Sequence, residues 1–257
     1  MILRRQFLAF LLPALLAPLR SARAQLAGSG GDDSIVKLFL AGDVMTGRGI
    51  DQIMPHHSSP EIHESWLRSA REYIEIAEHV NGPIPREVGY RYVWGDALTA
   101  LESAQPAARI INLETAVTTS DAYWPGKGIH YRMHPANTPV LNEAGIDCCV
   151  LANNHVLDWG YEGLEETLRV LRNAGIAVAG AGEDRLSAMA PAIIDAGENN
   201  RVLVFSIGHG SSGISASWSA GDRQAGVWRL AALSSGSIDE VSAAVERFKR
   251  SGDIAIA

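Results

Sequence analysis

Three short polar clusters in this sequence carry the side chains best suited to chemistry. In chain order they supply Asp43, Glu114, and Asn154 with His155. Carboxylate and amide oxygens are ligands for hard divalent cations such as Mn²⁺, Mg²⁺ or Ca²⁺, and an imidazole extends the choice to Zn²⁺ or Fe. The imidazole can also move a proton in general acid–base catalysis. Taken singly, each cluster is equally typical of an ordinary turn or helix cap.

Each cluster follows an apolar stretch, and the chain alternates such stretches with helical patterns. Short continuous apolar runs predict strands at Ile35–Ala41, Ala108–Leu113, Cys148–Ala152, Ile176–Ala179, Pro191–Asp195, Arg201–Ile207 and Asp253–Ala257. Helical spacing of apolar residues predicts helices over Glu61–His79, Trp94–Gln105, Gly160–Asn173 and Ser237–Arg250. Since alternating strands and helices place strand ends along one edge of a sheet, we expect the three clusters to meet there. A pair of metal ions at that edge would activate water.

The amino terminus has the features of an export signal. Arg4 and Arg5 precede an apolar segment, and Ala22-Arg23-Ala24 offers a small-x-small cleavage site, so residues 1–24 are expected to be removed. The arginine pair resembles a twin-arginine signal. Residues 25–34 are rich in Gly, Ser and Asp and predict a flexible leader. We therefore expect an exported protein of the periplasm or cell envelope, with one domain over residues 35–257.

The charge balance limits the partners of this domain. Removal of residues 1–24 takes away four arginines and no acid, which lowers the formal net charge from −7 to −11. Nucleic-acid binding through a basic surface is therefore not expected. An anionic substrate would need a metal ion or a local arginine cluster to offset this field. The two cysteines, Cys148 and Cys149, are adjacent in a strand and should point to opposite faces, which predicts core residues and no disulfide.

Several side chains outside the strand-end clusters are candidates for substrate binding. They lie in the turn after the first strand, in the loop 123–137, beside Asn154, and in a glycine-rich loop, and they are Arg48, Arg132, His134, Asn153 and His209. Cationic groups suit a carboxylate or phosphate, and glycine-rich loops offer backbone donors to an oxyanion. A solvated loop is an equally open interpretation of 123–137.

Several of these segments together resemble one known family. They are Gly42-Asp43-Val44-Met45-Thr46-Gly47-Arg48, Asn112-Leu113-Glu114-Thr115, Ala152-Asn153-Asn154-His155, Tyr131–Asn137 and Ser206–Trp218. They resemble the capsule-synthesis CapA family, the poly-γ-glutamate synthesis proteins, over roughly residues 36–257. That family is similar to calcineurin-like metallophosphoesterases. The resemblance implies an α/β fold of the metallophosphoesterase-like type, a four-layer α/β/β/α sandwich with a two-metal site.

The same resemblance implies roles for individual residues. Asp43, Glu114 and Asn154 would be metal ligands, and His155 would be the catalytic residue that donates to the leaving group or steadies the oxyanion. Two divalent ions are implied, chosen among Mn, Mg, Zn and Fe. Two departures qualify this. The Asp-x-His of metallophosphoesterases is Asp43-Val44-Met45 here, and no His-Trp-Gly turn occurs before Ala257. We therefore expect a domain truncated at its carboxyl end that holds about half of the metal site.

Three functions follow from these expectations. The first is an exported metal-dependent protein of capsule or poly-γ-glutamate biosynthesis that acts on or handles an anionic polymer, with a membrane-bound polymer synthase as partner. The second is an exported phosphoesterase or γ-glutamyl hydrolase that uses the same site on a phosphoester or amide. The third is a non-catalytic binding or scaffolding subunit. The sequence leaves open whether the protein is an enzyme.

Overall fold

The computed structural model describes residues 35–197 and 200–257, so the expected signal and leader (1–34) lie outside it. The strands are β1 Leu38–Val44, β2 Ala108–Leu113, β3 Ala116–Val117, β4 Arg132–Met133, β5 Cys148–Val150, β6 Ala177–Ala179, β7 Ala181–Gly182, β8 Ala192–Asp195, β9 Arg201–Val204, β10 Gly208–His209, β11 Gly226–Val227, β12 Arg229–Leu230 and β13 Ile254–Ile256. The α-helices are α1 Arg48–Ile53, α2 Ala70–Asn81, α3 Tyr90–Trp94, α4 Ala97–Ala104, α5 Pro139–Glu143, α6 Gly160–Asn173, α7 Arg185–Met189 and α8 Ser235–Phe248. Within the described ranges, no helix has the length and hydrophobicity needed to cross a bilayer.

A parallel sheet organises the fold, which confirms the mixed α/β class. Its strand order is β1-β2-β5-β6, and all three neighbouring pairs are parallel. A second sheet has the order β13-β9-β8, in which β8 and β9 are antiparallel and β9 and β13 are parallel. Because β1, β2 and β5 run parallel, their carboxyl ends lie along the same edge of the first sheet.

The two faces of the parallel sheet belong to different hydrophobic clusters. Ile111 of β2 and Cys149 of β5 pack with apolar residues of α4, α5 and α6. Ile110 and Cys148 pack instead with Ala192, Ile194, Val202 and Val204 of the second sheet. The adjacent cysteines thus point to opposite faces, and both are buried free thiols, as predicted. Beyond the second sheet, Leu203 and Phe205 share a third cluster with residues of α8.

The helix predicted over Glu61–His79 is wrong in its first half. α2 begins only at Ala70, where the Ser69 side chain accepts a hydrogen bond and the Glu72 carboxylate accepts one from the Ser69 backbone, which closes a capping box. Residues 61 and 69 are bridged instead, so the intervening segment is a loop. This loop carries Glu64, whose side chain is 1% exposed. The cap at Ser69 sets the start of the helix, although apolar residues at helical spacing precede it. Because Glu64 lies in the loop before this cap, its side chain can be buried.

Two other helix ends also differ from the sequence prediction. The helix predicted from Trp94 begins only at Ala97, as α4, because Gly95, which has a φ of 51°, ends α3 at Trp94. The helix predicted from Ser237 begins at Ser235, and no side chain caps its start. Glu240 accepts a hydrogen bond from the Trp228 indole instead. A tertiary contact has therefore taken the carboxylate that a local cap would have used.

A β-bulge near the end of β1 decides which way Asp43 points. Ala41 pairs with Ile111 and Asp43 pairs with Asn112, so Gly42 is an extra residue in the ladder. Phe39 and Ala41 pack on the helix side of the sheet. Simple alternation would send Asp43 to that side, but one extra residue reverses the facing of everything after it. Asp43 therefore shares a face with Asn112.

Deleting Gly42 is expected to be milder than deleting Leu40. Without Gly42 the ladder becomes regular and Asp43 still faces Asn112, so we expect the free energy of unfolding to change by less than about 1 kcal/mol. Without Leu40 the preceding residues change faces and the partly buried Phe39 leaves its cluster, which should cost about 1–2 kcal/mol, a part of the value for one fully buried large apolar side chain. Urea denaturation of both deletion variants measures this. Equal losses would contradict the bulge.

Candidate functional site

A line of side-chain hydrogen bonds crosses the carboxyl ends of β1, β2 and β5. The Asn112 amide donates to Asp43 Oδ1 at 2.7 Å. The Asn153 amide, just beyond β5, donates to Asn112 Oδ1 at 2.9 Å and to the Leu113 carbonyl at 3.0 Å. The three strand ends are therefore locked to one another by polar contacts. The expectation that they meet at one edge is met, and Asn112 is a member that sequence reasoning did not select.

The His155 imidazole is held on three sides. Its Nδ1 lies 2.6 Å from Asp158 Oδ2, and its backbone N–H donates to Asn153 Oδ1 at 3.0 Å. The Tyr131 ring stacks on it, with centroids 4.0 Å apart and planes inclined by 25°. Lys127 Nζ also lies 3.0 Å from Nδ1, but it pairs with Asp158 Oδ1. Because the closer carboxylate oxygen only accepts, we assign the proton of the neutral ring to Nδ1. The lone pair of Nε2 is then directed outward, 3.9 Å from Glu114 Oε1.

Behind His155, a buried ion pair anchors the imidazole. The Asp158 side chain is fully buried, and its Oδ1 lies 2.7 Å from Lys127 Nζ. The Tyr131 backbone N–H donates to Asp158 Oδ2 at 2.7 Å, and Lys127 also donates to the Ile129 carbonyl at 2.9 Å. An acid that orients a histidine through Nδ1 leaves Nε2 available as a proton acceptor or a metal ligand. The signal in the sequence is the spacing of three residues between His155 and Asp158.

In front of His155, the site carries excess negative charge. Burial raises the pKa of the Glu114 carboxyl, and the nearby Asp43 carboxylate raises it further, against the opposing effects of His155 and Lys127. Neither Asp43 nor Glu114 forms an ion pair with a lysine or arginine of the described ranges. Two carboxylates in this arrangement favour the approach of a cation.

Asn154 is the third ligand that the resemblance implies, and it lies beyond β5 next to Asn153. Its side-chain amide makes no hydrogen bond with any residue that the structure describes, in contrast to Asn153. A Cβ atom at Gly213 would lie 3.4 Å from the Asn154 Cβ, so the loop around Gly213 packs against Asn154. Across residues 35–197 and 200–257, no three His, Cys, Asp or Glu side chains form a group that could hold a metal ion. The donor types fit a divalent ion, but Asp43, Glu114 and His155 do not by themselves form such a group.

The two candidate arginines are ion-paired within the protein. Arg48 Nη2 lies 2.6 Å from Glu64 Oε1. Arg132 Nη1 lies 2.7 Å from Asp121 Oδ1, and its Cζ is 3.8 Å from the centroid of the Trp159 ring. Each guanidinium is thus neutralised before any ligand arrives. Their charge adds little to the field at the strand ends.

The two candidate histidines outside the strand-end clusters cap short helices. His134 Nδ1 accepts a hydrogen bond from the Ala136 backbone N–H at 3.1 Å. His209 Nδ1 accepts one from the Ser211 backbone N–H, also at 3.1 Å. His209 belongs to the loop that reaches Gly213 and therefore Asn154. Of the two, only His209 lies on a segment that contacts the strand-end cluster.

The family is decided by comparison with known sequences. A family model described as bacterial capsule synthesis protein PGA_cap matches residues 37–257. The chain belongs to this family. The resemblance to the capsule-synthesis proteins that the strand-end segments predict is thereby confirmed.

Individual relatives have related names. The PGA_cap chain is 44% identical over 227 residues to the probable polyglutamine synthesis accessory protein of Mycobacterium tuberculosis in two strains, covering 88% of this chain and 60% of that protein. It is 24% identical over 147 residues to the capsule biosynthesis protein CapA of Bacillus anthracis, covering 57% of this chain and 28% of CapA. The chain thus spans about 60% of the length of the mycobacterial relatives.

The PGA_cap match spans every residue of the site. It includes the candidates Asp43, Glu114 and His155, and it also includes Lys127 and Asp158, which sequence reasoning did not choose as site residues. Lys127 is 28 residues from His155, so no local pattern could pair them. The arrangement as a whole can attract a cation at its mouth and hold an oriented base behind it.

Proposed function

We propose that this PGA_cap chain is an exported, metal-dependent protein of capsule or poly-γ-glutamate biosynthesis that acts on an anionic polymer at the strand-end site. The observation that carries the proposal is the pairing of charges. Arg48, Arg132 and Lys127 are each neutralised by an acid of the protein, while Asp43 and Glu114 have no lysine or arginine partner among the described residues. An anionic polymer can approach two carboxylates only if a cation lies between them.

The side chains that would hold this cation are Asp43, Glu114 and Asn154, with Nε2 of His155 beside them. When bound, a divalent ion supplies Lewis acidity toward a carbonyl or phosphoryl oxygen. The protein's own part is to hold the line of amides that keeps Asp43 in place. It also directs the Nδ1 proton of His155 toward Asp158, so that Nε2 can exchange a proton with the reacting group.

The core supports a metallophosphoesterase-like α/β/β/α sandwich for the fold. The two sheets share one hydrophobic cluster, which is the relation expected of two facing layers. Helices α4, α5 and α6 pack on the other face of the parallel sheet, and α8 packs with Leu203 of the second sheet and with Phe205 just after β9. Helix, sheet, sheet and helix would thus be stacked in that order.

A hydrolase acting on a γ-glutamyl amide or a phosphoester is the alternative that one observation favours. A buried carboxylate, a histidine and an outward Nε2 are the parts of an acid–base device, and a scaffolding subunit has no use for them. Export and a membrane-bound polymer synthase as partner are proposed from the amino-terminal sequence and the family. The number and identity of the ions are part of the proposal, with two as the expectation.

Metal binding by the full chain tests the proposal. Calorimetric titration with Mn²⁺ should show binding to the wild type and an affinity at least about tenfold weaker in Asp43→Asn and Glu114→Gln, since outer-shell changes alone reach that size. Glu183→Gln, which removes an exposed carboxylate paired with Arg172, is the matched control and should bind as the wild type does. Loaded protein should then cleave poly-γ-glutamate in preference to a simple phosphodiester. A wild type that binds neither Mn²⁺, Mg²⁺ nor Zn²⁺ would overturn the proposal in favour of scaffolding.

A further inference from the structure

Four side chains form a continuous set of ring contacts that ends on His155. Arg48 Cζ lies 4.4 Å from the centroid of the Tyr73 ring and 4.7 Å from that of the Tyr131 ring. The Tyr131 ring in turn lies 4.0 Å from the His155 ring. We call Tyr73, Arg48, Tyr131 and His155 the Arg48 stack. It links α2, packed on the outside of the site, to the imidazole at its centre.

A left-handed backbone conformation and a buried ion pair hold the Arg48 guanidinium in this stack. Arg48 has a φ of 50°, in the left-handed region that disfavours any residue with a Cβ. Its Nη2 lies 2.6 Å from Glu64 Oε1, and Glu64 is itself buried. The Tyr73 hydroxyl donates a hydrogen bond to the other Glu64 oxygen, Oε2. A strained backbone that is held by so many contacts is typical of a residue with a task at the site.

The His155 plane needs such a support. Asp158 Oδ2 and Lys127 Nζ both lie within hydrogen-bond reach of Nδ1 and restrain its position. A hydrogen bond tolerates misalignment of roughly 30°, however, so small coupled changes of χ1 and χ2 can still tilt the ring. Such a tilt would move Nε2 relative to Glu114, which lies 3.9 Å away. A flat ring stacked on the imidazole opposes this tilt because it contacts the whole face. The Tyr131 backbone is fixed by Asp158 and Trp159, which leaves the tilt of its ring to Arg48.

We propose that Arg48 and Tyr131 are positioning residues that fix the plane of the His155 imidazole, and that Arg48 does not bind the anionic ligand directly. The planar guanidinium is essential to this task because it packs flat against a ring, which an ammonium group does not. The consequence for reactivity depends on the proposed function. The geometric claim does not, because it concerns the protein without metal or substrate.

NMR of the metal-free full chain tests the geometric claim. The ring protons of His155, assigned from the spectrum of His155→Asn, should resonate at low frequency because the Tyr131 ring current shields them. In Arg48→Lys and Arg48→Gly these signals should move most of the way to the position of an unstacked histidine. Arg48→Lys keeps a positive charge beside buried Glu64, and Arg48→Gly relieves the strain of the left-handed backbone. The two variants thus protect the fold in different ways, and they need not fail together. Arg201→Met, which breaks the Arg201–Asp253 pair in the second sheet, should leave the signals unchanged.

A second measurement connects the stack to the site. Mn²⁺ affinity should fall at least about tenfold in both Arg48 variants, as for other residues that orient a ligand. It should be retained in Tyr131→Phe, which keeps the ring, and in Arg201→Met. Unchanged His155 signals in a folded Arg48 variant would overturn the positioning role. A wild type that binds no Mn²⁺ would overturn the proposed function instead, and the NMR signals would still decide the role of Arg48.

Discussion

Replacing Asp158 by asparagine is expected to destabilise the protein by about 3–5 kcal/mol, the loss typical of breaking a buried ion pair from one side. The Asp158 side chain is fully buried, and the Lys127 side chain is 19% exposed, so the ammonium left behind is poorly solvated. Two further donors, His155 Nδ1 and the Tyr131 backbone N–H, share Asp158 Oδ2 and would lose their charged acceptor. Urea denaturation measures the change, which is a change in stability if the variant and the wild type have the same m-value.

A double-mutant cycle isolates the ion pair from the other contacts. Asp158→Asn combined with Lys127→Met removes both charges, and we expect it to be more stable than Asp158→Asn alone because no buried charge is left unpaired. Glu143→Gln, which breaks an exposed pair with Arg91 at 3.4 Å, is the matched control and should change stability by less than about 1 kcal/mol. An Asp158→Asn variant as stable as this control would show that the buried pair does not hold the site.

The sequence predicts the strands of this protein better than it predicts the direction of one side chain. The run from Ala108 to Leu113 is apolar and short, and the strand there has the predicted bounds. Asp43 is different, because its facing depends on the bulge at Gly42. Alternation along β1 gives the wrong face, and the bulge becomes visible only when the partner strand β2 is aligned with it. Pairing between strands is a long-range property that a single stretch of sequence does not contain.

The sequence also shows which side chains carry charge, but it does not show which of them form ion pairs within the protein. Arg48 and Arg132 suggest anion binding because each stands near a polar cluster. Glu64, the partner of Arg48, lies within a segment that the apolar spacing predicts to be helical. Lys127 and Asp158 are 31 residues apart, and only the loop between β3 and β4 brings them together. Which cations remain available to a ligand is therefore decided by tertiary contacts.

Asn153→Ala is expected to lower the free energy of unfolding markedly and Asn154→Ala hardly at all, although both replace an asparagine and the two residues are neighbours. Asn153 is buried, accepts from the His155 backbone N–H, and donates to Asn112 and to the Leu113 carbonyl. Its loss should cost about 2–3 kcal/mol of unfolding free energy, because buried partners are left unsatisfied. Asn154 makes no hydrogen bond with the residues that the structure describes. Its loss should change stability by no more than about 0.5 kcal/mol, as for a surface substitution.

For metal affinity we expect the direct effect at Asn154 and not at Asn153. Asn154→Ala removes an oxygen donor from the mouth of the site, so Mn²⁺ affinity in calorimetric titration should fall at least about tenfold while the urea midpoint is unchanged. Such a separation cannot arise from partial unfolding, because the variant that weakens binding is the one that keeps its stability. If Asn154→Ala binds Mn²⁺ as the wild type does, its amide is not a ligand of the cation. If Asn153→Ala is as stable as Asn154→Ala, the line of amides across the three strand ends does not support the fold, and the site is held by the packing beneath it.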